Sequence, residues 1–122
     1  MVKKIVVVDD DRGICNLLSK VFTGEGYITE CVYNGKDALK KIDEILPDLV
    51  ILDIMLPDLN GYQVLELMKK SEKTKNVKVV MLTQKDLLKD VEQAMTLGAD
   101  NYIVKPFDIN RILKTVNEIL IS

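Results

Sequence analysis

Histidine is absent from the 122-residue chain. That single gap removes Ser-His and Cys-His nucleophile pairs, imidazole metal ligands and any phosphohistidine formed on the chain itself. Cysteine is nearly as scarce, at Cys15 and Cys31 alone. The two lack CxxC spacing and fall within apolar patterns, so they read as buried, reduced thiols without chemistry. No apolar run approaches the ~18 residues needed to cross a bilayer, and the opening MVKKIVVVDDD meets acids before a cleavable apolar core can form. A cytoplasmic protein without membrane contact is expected. A basic patch is missing too: the net charge is −2, and the densest basic run, KKSEKTKNVK (69–78), is broken by Glu72 and has no aromatic beside it. It reads as a solvated helix end and loop, so direct nucleic-acid binding is not expected.

What is present is an ordinary globular composition, 48% hydrophobic and 30% charged with six Gly and three Pro, at a length that predicts one domain over residues 1–122. Short β-branched runs alternate with helical patterns. The predicted strands are Lys4 to Val8, Ile28 to Val32, Leu49 to Leu52, Val77 to Leu82 and Tyr102 to Val104. Between them, Ile14, Leu17, Leu18, Val21 and Phe22 fall on one helical stripe. Similar stripes run through Ala38, Leu39, Ile42 and Ile45, and through Val64, Leu65 and Met68. Two more take in Leu87 or Leu88, Val91 and Met95, then Ile109, Ile112, Leu113, Val116 and Leu120. Asp11, Asn34, Asn60, Asp86 and Asp108 are placed to cap the helix starts, with Gly24 or Gly26, Pro47 and Gly98 marking ends. The first, third and fourth strands are apolar on consecutive residues, as strands buried on both faces must be, whereas ITECVY alternates like an edge strand. The prediction is a doubly wound α/β fold with a parallel five-stranded sheet, right-handed crossovers and a crevice outside the carboxyl ends of the strands.

On that map the chemistry-bearing residues converge. Asp9 and Asp10 end the first strand, Asp53 the third, Thr83 the fourth and Lys105 the fifth. One helix cap needs one carboxylate, and Asp11 fills that role. The remaining like charges oppose folding by ~1 to 4 kcal/mol per close pair unless something positive joins them. The rim has no Gly-rich phosphate cradle after the first strand. Acids from two strand ends suit a hard divalent cation, with Mg²⁺ the best match and Mn²⁺ a substitute. A cation beside an isolated carboxylate points to phosphoryl chemistry with aspartate as nucleophile.

VVVDDD, VILDIMLPDLNG, VVMLT and GADNYIVKPF, in this order and across the whole chain, resemble the receiver domain of two-component response regulators. The resemblance implies a flavodoxin-like (βα)5 fold with strand order 2-1-3-4-5. It implies that Asp53 takes a phosphoryl group from a phosphohistidine on a sensor histidine kinase or histidine phosphotransfer protein. Asp10, Asp53 and the Met55 backbone carbonyl would bind Mg²⁺, with Asp9 acting through water or a hydrogen bond. Lys105 would pair with Asp53 and then with the phosphoryl. Thr83 would move to bond a phosphoryl oxygen and Tyr102 would swing inward, switching the surface of the fourth helix, fifth strand and fifth helix for a downstream effector protein or domain. The Lys105-Pro106 bond would be cis.

Two positions, Gln84 and Asn60, depart from the family's usual pattern. Gln84 stands where a small residue is common and narrows access to Asp53. Met55 cannot orient a water, which with Lys85 predicts a slowly decaying phosphate. Asn60 replaces an aspartate and still caps the third helix. Two competing readings are a haloacid dehalogenase-like phosphatase, opposed by Met55 where a second aspartate is needed, and an interaction module that works without phosphorylation. The expectation is a signalling switch rather than a turnover enzyme. Because the chain stops at EILIS, a free-standing receiver is the simplest expectation.

Overall fold

Consecutive apolar residues in a strand can all be buried only if both faces of its sheet are covered. The computed structural model, which describes residues 2–84 and 88–121 with the side chains of Leu88 and Asp90 set aside, has that construction. Strand and helix alternate as β1 (Lys4–Val8), α1 (Arg12–Gly24), β2 (Ile28–Val32), α2 (Gly35–Ile45), β3 (Leu49–Asp53), α3 (Gly61–Lys70), β4 (Lys78–Thr83), α4 (Leu88–Thr96), β5 (Asn101–Val104) and α5 (Ile109–Ile121). All strands pair in parallel, in the order β2-β1-β3-β4-β5. This is the flavodoxin-like fold expected from the sequence.

The two-residue period of a strand sends alternate side chains to opposite faces, so the sheet divides the interior into two layers. Ile5, Val7, Leu49, Ile51, Val80 and Leu82 pack with Cys15, Leu18 and Phe22 of α1 and Ile112 and Val116 of α5. Val6, Val8, Val50, Leu52, Val79 and Met81 pack with Ala38 and Ile42 of α2, Val64, Leu65 and Met68 of α3 and Ala94 of α4. Every residue of β3 is buried, whereas β2 alternates, as an edge strand should.

Four of the anticipated caps are present. Asp11 accepts from the amides of Gly13 and Ile14, Asn34 from Asp37, and Asp108 from Asn110. Asn60 and Gln63 form a reciprocal capping box at the start of α3. The expectations that fall on Lys85, Asp86 and Leu87, or on the side chain of Leu88, lie outside the described residues.

The structure corrects three burial expectations. Leu17 is 45% exposed, because α1 buries Cys15, Leu18 and Phe22, and Leu17 sits about 100° round the helix from Leu18. Met95 is equally exposed, because small Ala94 fills the buried position of α4 while Val91 is half-buried. Cys31 is half-buried rather than buried, as its edge strand has a single neighbour. Both thiols are free.

The start of α3 lies hard against the end of β3. The Gly61 amide donates to the Ile54 carbonyl at 2.8 Å, and a Cβ on Gly61 would stand 2.4 Å from the Asp53 carbonyl oxygen. Gly61→Ala is therefore expected to destabilise the fold by about 1–3 kcal/mol. This is measured as a lower urea midpoint at unchanged slope; an unmoved midpoint would show that the backbone there yields freely.

Candidate functional site

The chain runs from β1 outward to β2 and returns past β1 to β3, so the strand order reverses between β1 and β3. A crevice opens there at the carboxyl ends. Asp9 follows β1 and Asp53 ends β3, placing one acid on each side of it.

The three consecutive aspartates divide their work. Asp9 is fully buried; its Oδ1 accepts from the Asp11 amide at 2.9 Å, and its carbonyl accepts from the Cys15 thiol at 3.3 Å. Asp10 stands exposed on the rim. Asp11 turns away to cap α1 through the Gly13 and Ile14 amides at 2.9 and 3.2 Å. Asp53 is 1% exposed and accepts from the Met55 amide at 3.2 Å through Oδ1.

Lys105 reaches across from the end of β5 and joins the two buried acids. Its Nζ lies 2.8 Å from Asp9 Oδ2 and 3.1 Å from Asp53 Oδ2, with the lysine side chain 11% exposed. The Lys105 amide donates to the Thr83 carbonyl at 2.6 Å, tying the two loops, and Lys105-Pro106 is cis. Thr83 ends β4 and is buried. Tyr102, two residues below the rim on β5, is half-buried against the α2–α3–α4 layer. The Met55 side chain is 64% exposed.

The charges are not balanced by the protein alone. Burial pushes the Asp53 carboxyl up to about 6; the charge of Asp9 adds to the rise, and Lys105 and the Met55 amide oppose it. Burial also works against the Lys105 ammonium, but Asp9 and Asp53 outweigh it and hold that group above the usual lysine range. Asp9, Asp10 and Asp53 each offer a carboxylate oxygen, all within 4.8 Å of one another. Buried Asp9 Oδ2 has no hydrogen-bond donor aligned on it among the described residues, despite the nearby ammonium. Three hard oxygen donors drawn from two strand ends fit a Mg²⁺-sized cation.

Beside this cluster a groove of about 510 Å³ is lined by Ile14, Leu17, Gln84, Lys105, Pro106 and Phe107. Gln84 is exposed there, at the approach to Lys105. Sequence reasoning gave no role to Asp58. Its carboxylate, from the segment after β3, accepts from the amides of Gly35 and Lys36 at 2.7 and 2.9 Å. An aspartate in a Pro-Asp turn carries no signal for a contact 23 residues away. Arg12 likewise lies over the Tyr33 ring at 4.0 Å, a cation–π contact on the same rim.

The sequence profile described as "Response regulator receiver domain" matches residues 5–117. Among solved structures, the BeF3-activated DrrB receiver domain is 32% identical, with all of both chains covered and a TM-score of 0.90. A CheY-like response regulator receiver domain protein from Methanospirillum hungatei is 31% identical over 97% of this chain and 93% of its own, with a TM-score of 0.90. The chemotaxis protein CheY4 of Vibrio cholerae is 26% identical over 98% and 99%, with a TM-score of 0.92. No described helix is long and apolar enough to cross a membrane.

Proposed function

The chain belongs to the response regulator receiver domain family of two-component signalling, and from that membership we propose that Asp53 is its phosphoacceptor. The observation that carries this reading is a buried carboxylate, Asp53, that shares one ammonium, Lys105, with buried Asp9 at the mouth of an acid cluster. We read residues 1–122 as a single receiver domain of a cytoplasmic switch.

The donor is a phosphohistidine on a sensor histidine kinase or histidine phosphotransfer protein, since this chain has no histidine of its own. An Asp53 oxygen attacks the phosphorus, the donor's P–N bond breaks, and the imidazole leaves with that electron pair and takes up a proton. An acyl phosphate results. Charge on the phosphoryl oxygens then needs donors already in position. Lys105 Nζ, the Thr83 hydroxyl and the Met55 amide are those that this chain offers. Asp10, Asp53 and the Met55 carbonyl would hold Mg²⁺ or Mn²⁺, with Asp9 acting through water, and the bound ion would supply the positive charge that the acids lack.

A phosphoryl adds about −1.5 to −2 charge at Asp53. It draws Thr83 and Lys105 toward itself and Tyr102 inward, changing the α4–β5–α5 surface that a downstream effector reads. Exposed Met95 gives that surface an apolar contact. The groove at Ile14, Leu17 and Phe107 offers the phosphodonor a ledge beside Lys105. Phosphoryl-shaped BeF3⁻ is the stable ligand expected to occupy Asp53 in its place.

Intact-mass measurement tests this reading. With Mg²⁺ and acetyl phosphate the wild type is expected to gain one phosphoryl, about 80 Da, while Asp53→Asn or chelation of the metal prevents the gain. The decay of that mass over time reports the slow hydrolysis expected from Met55. An unchanged wild-type mass would favour the interaction module that works without phosphate, and continuous turnover of acetyl phosphate would favour a phosphatase.

A further inference from the structure

We infer that Asp58 is a positioning residue: its carboxylate clamps segment 54–60 to the first turn of α2 and thereby sets the Met55 carbonyl for the divalent cation. The inference rests on the reading above in which Met55 supplies a metal ligand. The first turn of a helix leaves amides without partners inside the helix. In α2, Asn34 satisfies the amide of Asp37 from within, while Asp58 satisfies Gly35 at 2.7 Å and Lys36 at 2.9 Å from another loop. Burial alone would raise the Asp58 carboxyl, yet these amides hold it below the usual carboxylate range. The positive end of the α2 dipole favours the same charge.

Contact behind the clamp is close. A Cβ on Gly35 would stand 2.7 Å from both the Leu59 Cβ and the Leu59 carbonyl oxygen, so segment 54–60 lies directly on the α2 start. Its ends are pinned as well: the Ile54 amide donates to Leu82 at 3.1 Å and the Gly61 amide to Ile54 at 2.8 Å. Met55 sits between the pinned Ile54 and the clamp, and its amide already donates to Asp53. Without Asp58 the end pins would remain, and the middle of the segment would lose its two bonds to α2.

The test is Mg²⁺ titration by calorimetry on wild type, Asp58→Ala, Asp58→Asn and Asp48→Ala, with hydrogen exchange at the Gly35 and Lys36 amides in the absence of metal. Asp48 is the structural control, because its carboxylate accepts the Lys4 amide at 2.8 Å, at the other end of the sheet. Asp58→Ala is expected to weaken Mg²⁺ affinity about tenfold and to speed exchange at both amides. Asp58→Asn, which keeps one acceptor oxygen, should fall between it and wild type, and Asp48→Ala should bind as wild type does. At saturating Mg²⁺ the acetyl phosphate labelling rate of Asp58→Ala should return to the wild-type value. Wild-type Mg²⁺ affinity in Asp58→Ala, or labelling that stays slow at saturation, overturns the clamp and leaves the metal reading intact. A wild type that takes up no Mg²⁺ overturns both. Should Asp58→Ala fail to fold, Asp58→Asn carries the same comparison.

Discussion

Replacing Lys105 with methionine is expected to remove about 3–5 kcal/mol of folding stability at pH 7, because deleting one partner strands the other charges out of water. Here the partners are two. Asp9 and Asp53 are 0% and 2% exposed at the side chain, and the same ammonium lies 2.8 and 3.1 Å from them. Methionine keeps much of the aliphatic stem, so the change isolates the charge. In the variant the Asp53 carboxyl, already raised by burial, loses the ammonium that lowers it and binds its proton still more tightly in the folded state, so stability should recover as the pH falls from about 7 toward about 4. Added Mg²⁺ should recover part of the loss by a different route. Urea unfolding of both proteins at pH 7 and pH 5 measures this. A difference below about 1 kcal/mol at pH 7 would place the pair among weak surface-type bridges instead. Labelling by acetyl phosphate should slow in parallel.

Asp53→Asn is expected to do the reverse to stability while abolishing labelling. Burial, and next the charge of Asp9, raise the Asp53 carboxyl from 3.8 to about 6. A carboxyl raised on folding binds its proton more tightly in the folded state. The stabilisation from its neutral form is complete below about 3.8 and is lost as the pH rises through about 6. Ionised Asp53 then opposes folding at pH 7 by something on the order of 2–3 kcal/mol. Asparagine has the same shape and no charge, so the variant should be more stable than wild type by up to about that amount in a chelating buffer. Its stability should also lose the fall between pH 4 and pH 6 that this group imposes. Mg²⁺ should narrow the gap by stabilising the wild type alone. Thermal unfolding with and without Mg²⁺ decides it; an asparagine variant less stable than wild type at pH 7 without metal would show that the Lys105 attraction outweighs burial.

Much of this molecule is legible in the chain because its strands are unambiguous. The bounds of β1 and β2 agree with the sequence reading, and those of β3, β4 and β5 lie within one residue of it, since runs such as IVVV and LVIL can be buried only in the middle of a parallel sheet. Once the strands are placed, their carboxyl ends place Asp9, Asp53, Thr83 and Lys105 without further information. Helix faces are harder, because a step of one residue turns the surface by about 100°. Leu17 and Met95 therefore face out, while Cys15 and Ala94 lie beneath. Charge pairing is only half legible. The resemblance gave Lys105 to Asp53, whereas the structure sets it slightly nearer Asp9. The Asp58 clamp depends on how the chain closes in space, and no local pattern announces it.

The place of Lys105 in the sheet has a mechanical consequence. Asp9 and Asp53 issue from β1 and β3, each held by a neighbour on both sides, whereas Lys105 issues from β5, a four-residue strand that pairs with β4 alone among the described strands. On that pairing the acids would make the fixed jaw of a vice and the base its sliding jaw. Under the proposed function, charge added at Asp53 would displace the margin of the sheet and spare its centre, passing outward along β5 without the sheet having to come apart.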